Sequence, residues 1–172
     1  MKLMKMLGVA VLIASSALSF AAAPAKPVVV TVGHVKAVND LMVAMQMEKL
    51  MRTITGTSRF AAEEQRGAAY AKLEKIPKEQ IYARLAYPLA KVISAETAIE
   101  MTRFYNTPHG KKAVYRMYNS KSSYGEPPTP ATTAIERKDM ERPEYQKASK
   151  ELAAADDAIR HEAFVLLQAI LK

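Results

Sequence analysis

Histidine is the side chain in this sequence best suited to acid–base or metal chemistry near neutral pH, and there are three. His34, His109 and His161 lie in separate segments, none with a second ligand at metal-site spacing. His161 precedes Glu162 but lacks the second His of a metalloprotease motif. His109 falls in the first turn of a predicted helix, where an anion can approach. The sequence predicts no metal site and no cofactor, and a surface role for His109 is the simplest interpretation.

Nucleophilic catalysis would need a base and an orienting group beside a hydroxyl, since the chain has no Cys. No Gly-rich phosphate loop and no Ser nucleophile elbow occur in the sequence. The adjacent carboxylates Glu63-Glu64 and Asp156-Asp157 would point about 100° apart on a helix, so they form no acid–base pair. A noncatalytic protein is predicted. The enzymatic alternative is a hydrolase with His109 as base, which requires a pocket joining His109 to a hydroxyl and a carboxylate.

Methionines recur at helical spacing near the start of the chain: Met42, Met45, Met47 and Met51. Methionine at this spacing is more often part of a helical core. The alternative is an adaptable groove for an apolar ligand or a peptide helix, because the thioether side chain is flexible and polarizable.

The first 25 residues are typical of a secretory signal peptide. Lys2 and Lys5 precede a nearly uncharged apolar stretch that ends in small residues. Cleavage is predicted after Ala21 or Ala25, which places the mature chain in the periplasm or outside the cell without a stable membrane span. The alternative is an inner-membrane anchor formed by an uncleaved signal, because the apolar stretch approaches the roughly 20 residues that span a bilayer.

The remaining residues, 26–172, have the length of one domain. The chain has 25 Lys and Arg against 17 Asp and Glu, a formal net charge of +8. Such a surface favours an anionic envelope polymer, a lipid head group or an acidic envelope protein as partner, although interspersed acidic residues also fit ordinary solubility. Nucleic acid is not an expected partner, because export separates the two and no basic and aromatic recognition motif is present.

Hydrophobic periodicity and capping residues predict an all-α protein, a compact bundle of about five to seven helices. An extended lead-in is expected over residues 26–33, and a Pro-rich loop over residues 119–130. Helices are predicted over 35–54, from Ser58 to Lys75, from Pro77 with a kink near Tyr87, from Ser94, from Pro108, over 131–141, and from Pro143 onward.

The segment 131–172 forms a C-terminal helical extension after the Pro-rich loop. Its last helix is predicted from apolar residues three and four apart: Tyr145, Ala148, Leu152, Ala155, Ile159, Ala163, Leu166 and Ile170. This helix either docks on its own chain or exchanges into a second copy, so a monomer and a helix-exchanged dimer both stay open.

The segment 93–117 reads ISAETAIEMTRFYNTPHGKKAVYRM and combines an acidic helix, an aromatic pair, a Thr-Pro step, a Gly and a basic helix start. In this order the features resemble the bacterial family called domain of unknown function 2059. The likeness covers about residues 35–118, including the upstream phrase VNDLMVAMQMEKLM. It implies an exported, all-helical domain without an established catalytic activity. The stretch after residue 120 lies outside the family pattern.

The motif also has a direct physical interpretation. A helix that ends at Tyr105 must turn within about two residues, and Thr107 and Pro108 are a cap and a first helical residue. Gly110 would permit close approach of the two helices. The motif is interpreted as architectural rather than as a binding site; its candidate residues are Phe104, Tyr105, Thr107, Pro108, His109, Gly110 and Lys111.

The function predicted from the sequence is therefore a noncatalytic interaction or accessory role in the bacterial cell envelope. A binder of a small apolar or lipid-like molecule between the helices is the first alternative, and a cavity lined by Met and aromatic side chains would favour it. The hydrolase is the second alternative.

Overall fold

Helices account for all regular structure in the computed structural model, which describes residues 29–119 and 133–172. Over these ranges the chain forms nine helices: α1 Val32–Met45, α2 Met47–Thr57, α3 Glu63–Glu74, α4 Lys78–Leu89, α5 Ala95–Tyr105, α6 Pro108–Asn119, α7 Ala134–Met140, α8 Pro143–Ala154 and α9 Asp156–Leu171. The predicted all-α class is confirmed. The predicted count of five to seven helices was too low.

Two interruptions account for much of the difference in helix number. The predicted helix 35–54 is divided at Gln46, which adopts a left-handed backbone conformation with φ of 53°. The predicted helix from Pro143 onward is divided at Ala155, where α8 ends and α9 begins. Apolar periodicity persists across both breaks, so the sequence pattern does not report them.

Several helix ends also differ from the predicted ones. The Thr31 side chain caps α1 by accepting from His34 N at 3.2 Å, so the helix begins within the predicted extended lead-in. Ser58 donates to Ile54 O at 2.7 Å and thus closes α2, whereas α3 begins only at Glu63. Pro77 is the N-cap of α4 rather than its first residue.

Other predicted ends match the structure because a side chain satisfies the free backbone groups there. Ser94 accepts from Thr97 N at 3.3 Å at the start of α5. Near Tyr87, where a kink was predicted, α4 instead continues through Pro88 in its last turn and ends at Leu89.

The core lies around α1, which packs against α4 and α5, while α8 covers α5 and α9 covers α2. Both C-terminal helices therefore pack on their own chain in this structure; the exchanged dimer stays a prediction. Burial follows most of the apolar positions predicted for the C-terminal segment, including Ala148, Leu152 and Ile159. On α1, Met42 is fully buried while its neighbour Val43 is 51% exposed, and on α5 Ile99 is exposed.

A carboxylate joins α8 to the start of α5. Glu151 accepts from Ser94 N at 2.7 Å, from Ser94 Oγ at 3.0 Å and from Thr97 Oγ1 at 2.7 Å. Burial opposes ionisation, but these hydrogen bonds outweigh it and hold the pKa of Glu151 below its usual value. Glu151 therefore fixes the position of α8 on the bundle.

An ion-pair network fixes α7 and the start of α8 on the outer side of α5. Glu100 contacts Arg103 at 2.8 Å and Arg142 at 3.1 Å, and Asp139 contacts Arg103 at 2.9 Å. The Arg103 hydrogen bonds are the main reason why the pKa of Glu100 lies below its usual value.

Over the described ranges, no helix has both the length and the apolar character to span a bilayer. The predicted signal peptide, its cleavage after Ala21 or Ala25, and all of the predicted Pro-rich loop except Asn119 lie outside those ranges.

Candidate functional site

The corner between α5 and α6 holds the residues of the family-like motif in close contact. Thr107 Oγ1 donates to Phe104 O at 2.7 Å and accepts from Gly110 N at 3.0 Å, so the same hydroxyl closes α5 and opens α6. Gly110 is buried, and a Cβ added there would lie 2.1 Å from Phe104 O and 2.6 Å from Tyr105 Cα. Only glycine allows this approach, and the corner leaves no room for a ligand.

The two aromatic residues at the corner contact each other edge to face, with ring centroids 5.3 Å apart. The Phe104 centroid also lies 4.6 Å from that of Tyr145 and 5.8 Å from that of His109. Tyr105 is buried as well, and it also lines a pocket described below. The motif thus has one aromatic residue that packs only within the corner and one that also contributes to a pocket.

Besides its contact with Phe104, His109 lines a pocket of about 440 Å³, which we call the basic pocket. Its lining residues are His109, Lys111, Lys112, Tyr115, Arg116, Thr133 and Glu136. His109 Nδ1 lies 3.3 Å from Glu136 Oε1. Of the predicted site residues, only His109 and Lys111 line this pocket.

The basic pocket brings a histidine, a carboxylate and a hydroxyl together, as a hydrolase would require. Thr133 and Glu136 bond to each other in a capping box, with Thr133 N donating to Glu136 Oε2 at 2.8 Å and Glu136 N donating to Thr133 Oγ1 at 3.2 Å. The Thr133 backbone bond is the main reason why the pKa of Glu136 lies below its usual value. Among the described residues, no hydroxyl forms a hydrogen bond with His109, so the geometry shows no activated nucleophile.

A second pocket, of about 390 Å³, lies where α1, α2, α5, α6, α8 and α9 meet; we call it the Met/Tyr pocket. Its apolar wall consists of Met45, Met47, Leu50, Met101, Tyr105, Met117, Tyr118, Leu152, Ala153 and Ile159. Thr53, Ser149, Asp156 and Arg160 supply polar groups to the lining.

The helix interruption at Gln46 contributes directly to this pocket. Met45 and Met47 flank Gln46 and line the same pocket, whereas residues two apart in one continuous helix point about 200° apart. The lining residues of α8 and α9, such as Leu152 and Asp156, are three or four apart, so the break at Ala155 does not change which face they share. Sequence periodicity missed the pocket on the α1–α2 side because it predicted an unbroken helix through Gln46.

Tyr105 brings an aromatic ring and a hydroxyl to the lining of the Met/Tyr pocket. The residue as a whole is 8% exposed. Burial raises the pKa of Tyr105 to about 12, so the phenol is protonated at neutral pH. Tyr118 lies in the same pocket, and burial raises its pKa further.

The charged groups near the Met/Tyr pocket are largely paired. Arg160 Nε donates to Asp156 Oδ2 at 2.7 Å. Lys49 Nζ lies 6.0 Å from the centre of the Tyr118 ring, and Glu48 accepts from the Tyr82 hydroxyl. The pocket is therefore apolar with a nearly neutral polar edge.

The methionine groove predicted from the sequence is found only in part. Met45 and Met47 line the Met/Tyr pocket, but Met42 and Met51 are 0% exposed and belong to the core. Met101 and Met117 take their places in the lining. Periodicity within one segment cannot place Met101 and Met117 beside Met45 and Met47, because they lie on α5 and α6.

The remaining histidines contribute to neither pocket. His34 is buried, with Nε2 at 2.7 Å from Ile93 O, so its ring N–H joins α1 to the segment before α5. His161 is exposed on α9. Within residues 29–119 and 133–172, no cluster of three or more His, Asp or Glu side chains is arranged to hold a metal ion.

Comparisons with protein-family models, with curated proteins and with solved structures give no match for this chain. The resemblance of residues 35–118 to the family named above stays a prediction from the sequence.

Proposed function

We propose that this chain is an exported, noncatalytic binding protein of the bacterial cell envelope that holds a small apolar or lipid-like molecule in the Met/Tyr pocket. One observation carries the proposal: methionine and tyrosine side chains from several helices line a partly open pocket of about 390 Å³ whose surface is mostly apolar. That volume lies within the roughly 300–1,000 Å³ of small-molecule sites, which typically combine apolar walls with few polar groups.

The lining chemistry suits a flexible hydrocarbon. Methionine side chains adapt to irregular shapes and make favourable contacts through polarizable sulfur. Met45, Met47 and Met101 are held by the core, while Met117 is half exposed at the edge. Export would place such a pocket among membrane lipids and their breakdown products. A carrier or sensor of such molecules is an accessory role that needs no catalytic group.

Titration calorimetry with two surfactants of equal tail length, decanoate and decyltrimethylammonium, tests the proposal. Ala153 is exposed and lines the pocket, whereas its neighbour Ala154 is exposed and lies outside the lining. An indole introduced by Ala153→Trp should occupy the pocket and weaken binding by about tenfold or more, since it displaces the alkyl chain. Ala154→Trp is the matched control and should bind as the unmodified protein does.

Two results would overturn the proposal. One is the absence of saturable binding of both surfactants by the unmodified protein. The other is equal loss of binding in Ala153→Trp and Ala154→Trp, which would indicate general surface adsorption.

The basic pocket supports a second candidate function, binding of an anionic envelope polymer. Lys111, Lys112 and Arg116 line it together, with Glu136 as the acidic member. Cations grouped in one concave surface strengthen the local potential and attract polyanions.

Salt dependence separates this candidate from the first. Binding of dextran sulfate, a soluble polyanion, should weaken steeply between low and physiological salt, because the Debye length falls to about 8 Å. The double variant Lys111→Gln/Lys112→Gln should reduce this binding, while Lys147→Gln/Lys150→Gln, which removes equal charge from α8, should reduce it less. Equal losses in both variants would contradict a role for the basic pocket.

A further inference from the structure

We infer that the basic pocket binds an acidic glycan, with the anionic groups of the polymer against the cations of α6 and one sugar ring stacked on Tyr115. This inference rests on the second candidate function proposed above, polyanion binding, and specifies the chemical class of the polymer. An acidic protein segment is the competing class of partner, and experiment distinguishes the two.

The first argument is that the cations of the basic pocket have no acidic partner. Lys111, Lys112 and Arg116 line the pocket together, and none of them forms an ion pair with a carboxylate of the described ranges. Arg116 is half-buried, as is Arg142, but Arg142 pairs with Glu100 at 3.1 Å. Positive charge left free on a concave surface is available to the anionic groups of a ligand.

The second argument is the open ring of Tyr115. Tyr115 lines the same pocket and is 65% exposed. Within residues 29–119 and 133–172, no aromatic ring packs on it and no cation lies over it, whereas Lys91 Nζ lies 4.7 Å from the centre of the exposed Tyr87 ring. A sugar ring presents C–H groups on one face, and these pack on the electron-rich face of an aromatic ring. Tyr115 therefore offers a surface for a sugar beside the cations that would hold its anionic groups.

The third argument is the size of the basic pocket. Its volume of about 440 Å³ lies within the roughly 300–1,000 Å³ of sites that take small molecules or single units of a polymer. A stable contact with a folded protein instead buries about 800 Å² on each partner, and charged residues are depleted from its centre. A small pocket with three cations in its lining thus suits a charged sugar better than the face of a protein.

Calorimetry with two carboxylate polymers tests the inference. Polygalacturonate and poly-L-glutamate each carry one carboxylate per unit, but only polygalacturonate has sugar rings. We expect polygalacturonate to bind more tightly, and Tyr115→Leu to weaken its binding about threefold to tenfold, as expected for loss of one stacking contact. The same substitution should leave the affinity for poly-L-glutamate unchanged, because leucine preserves the helix and all three cations.

Tyr87→Leu is the matched control, because Tyr87 is also exposed on a helix but lies outside the basic pocket. It should leave the binding of both polymers unchanged. Thermal unfolding of Tyr115→Leu and Tyr87→Leu should match that of the unmodified protein, which would show that changes in affinity do not reflect misfolding.

The outcomes separate this inference from polyanion binding itself. If Tyr115→Leu changes the binding of neither polymer, or of both equally, the inference fails while polyanion binding stands. Tighter binding of poly-L-glutamate would overturn the inference and indicate an acidic protein segment as the partner. If neither polymer binds, or if Lys111→Gln/Lys112→Gln leaves their binding unchanged, the second candidate function itself fails.

Discussion

The α5–α6 corner and the Met/Tyr pocket share Tyr105, and they differ in how they use space and polar groups. In the corner, the Thr107 hydroxyl both donates and accepts, and Gly110 leaves no room for even one added carbon. In the pocket, the Tyr105 hydroxyl has no described partner and about 390 Å³ is open. A closed, hydrogen-bonded motif stabilises a fold, while open apolar space offers a binding site.

The corner should be intolerant of change, which Gly110→Ala tests. The added Cβ would overlap backbone atoms of Phe104 and Tyr105, so the helices must separate. We expect a loss of about 3 kcal/mol or more in the free energy of unfolding, measured by urea denaturation.

Gly67→Ala is the matched control for this substitution. Gly67 lies inside α3, and a Cβ there meets nothing within 4 Å. We expect a gain in stability of about 0.5–1 kcal/mol, because alanine favours the helix. If Gly110→Ala leaves the free energy of unfolding unchanged, the corner is not closed and does not differ from the Met/Tyr pocket in this respect.

Glu151 attaches α8, which lines one side of the Met/Tyr pocket, to the start of α5. Glu151→Ala therefore tests how strongly this attachment stabilises the fold. The substitution removes the hydrogen bonds to Ser94 and Thr97, and we expect a loss of about 2 kcal/mol by urea denaturation. Lys150→Ala, an exposed neighbour on the same helix, should change stability by less than about 0.5 kcal/mol.

The Glu151 carboxylate also makes the stability of the fold depend on pH in a predictable direction. Because the folded pKa of Glu151 lies below the ordinary value of 4.5, its stabilising contribution is present above that value and is lost as pH falls through the folded pKa. Between about pH 5 and about pH 3, Glu151→Gln should therefore lose less stability than the unmodified protein. If both proteins lose the same stability over this pH range, the ionised Glu151 carboxylate does not stabilise the fold.

The smallest expected effects come from a pair of tyrosines. Tyr82→Phe removes the hydrogen bond to Glu48 and should cost about 1 kcal/mol in unfolding free energy. Tyr105→Phe removes a hydroxyl without a described partner and should cost about nothing. A clear loss of stability in Tyr105→Phe would show that the hydroxyl is satisfied within the protein, and the pocket would then resemble the corner.

Local chemistry explains which parts of this comparison the sequence predicts. Ser94 and Thr107 cap helices as their side-chain type requires, so the ends of α5 and α6 follow from the residues alone. The left-handed conformation of Gln46 has no comparable signal, because that region favours Gly or Asn. The pocket arises from this break and from contacts between distant helices, which periodicity within one segment cannot show.

The exposed edge of the pocket also has a consequence for redox chemistry. Met117 is 53% exposed, whereas Met42 and Met51 are fully buried, so an oxidant would reach the Met117 sulfur before theirs. The sulfoxide is polar and is reversed by methionine sulfoxide reductases. Oxidation at this single edge position would make the entrance less apolar while leaving the core methionines intact.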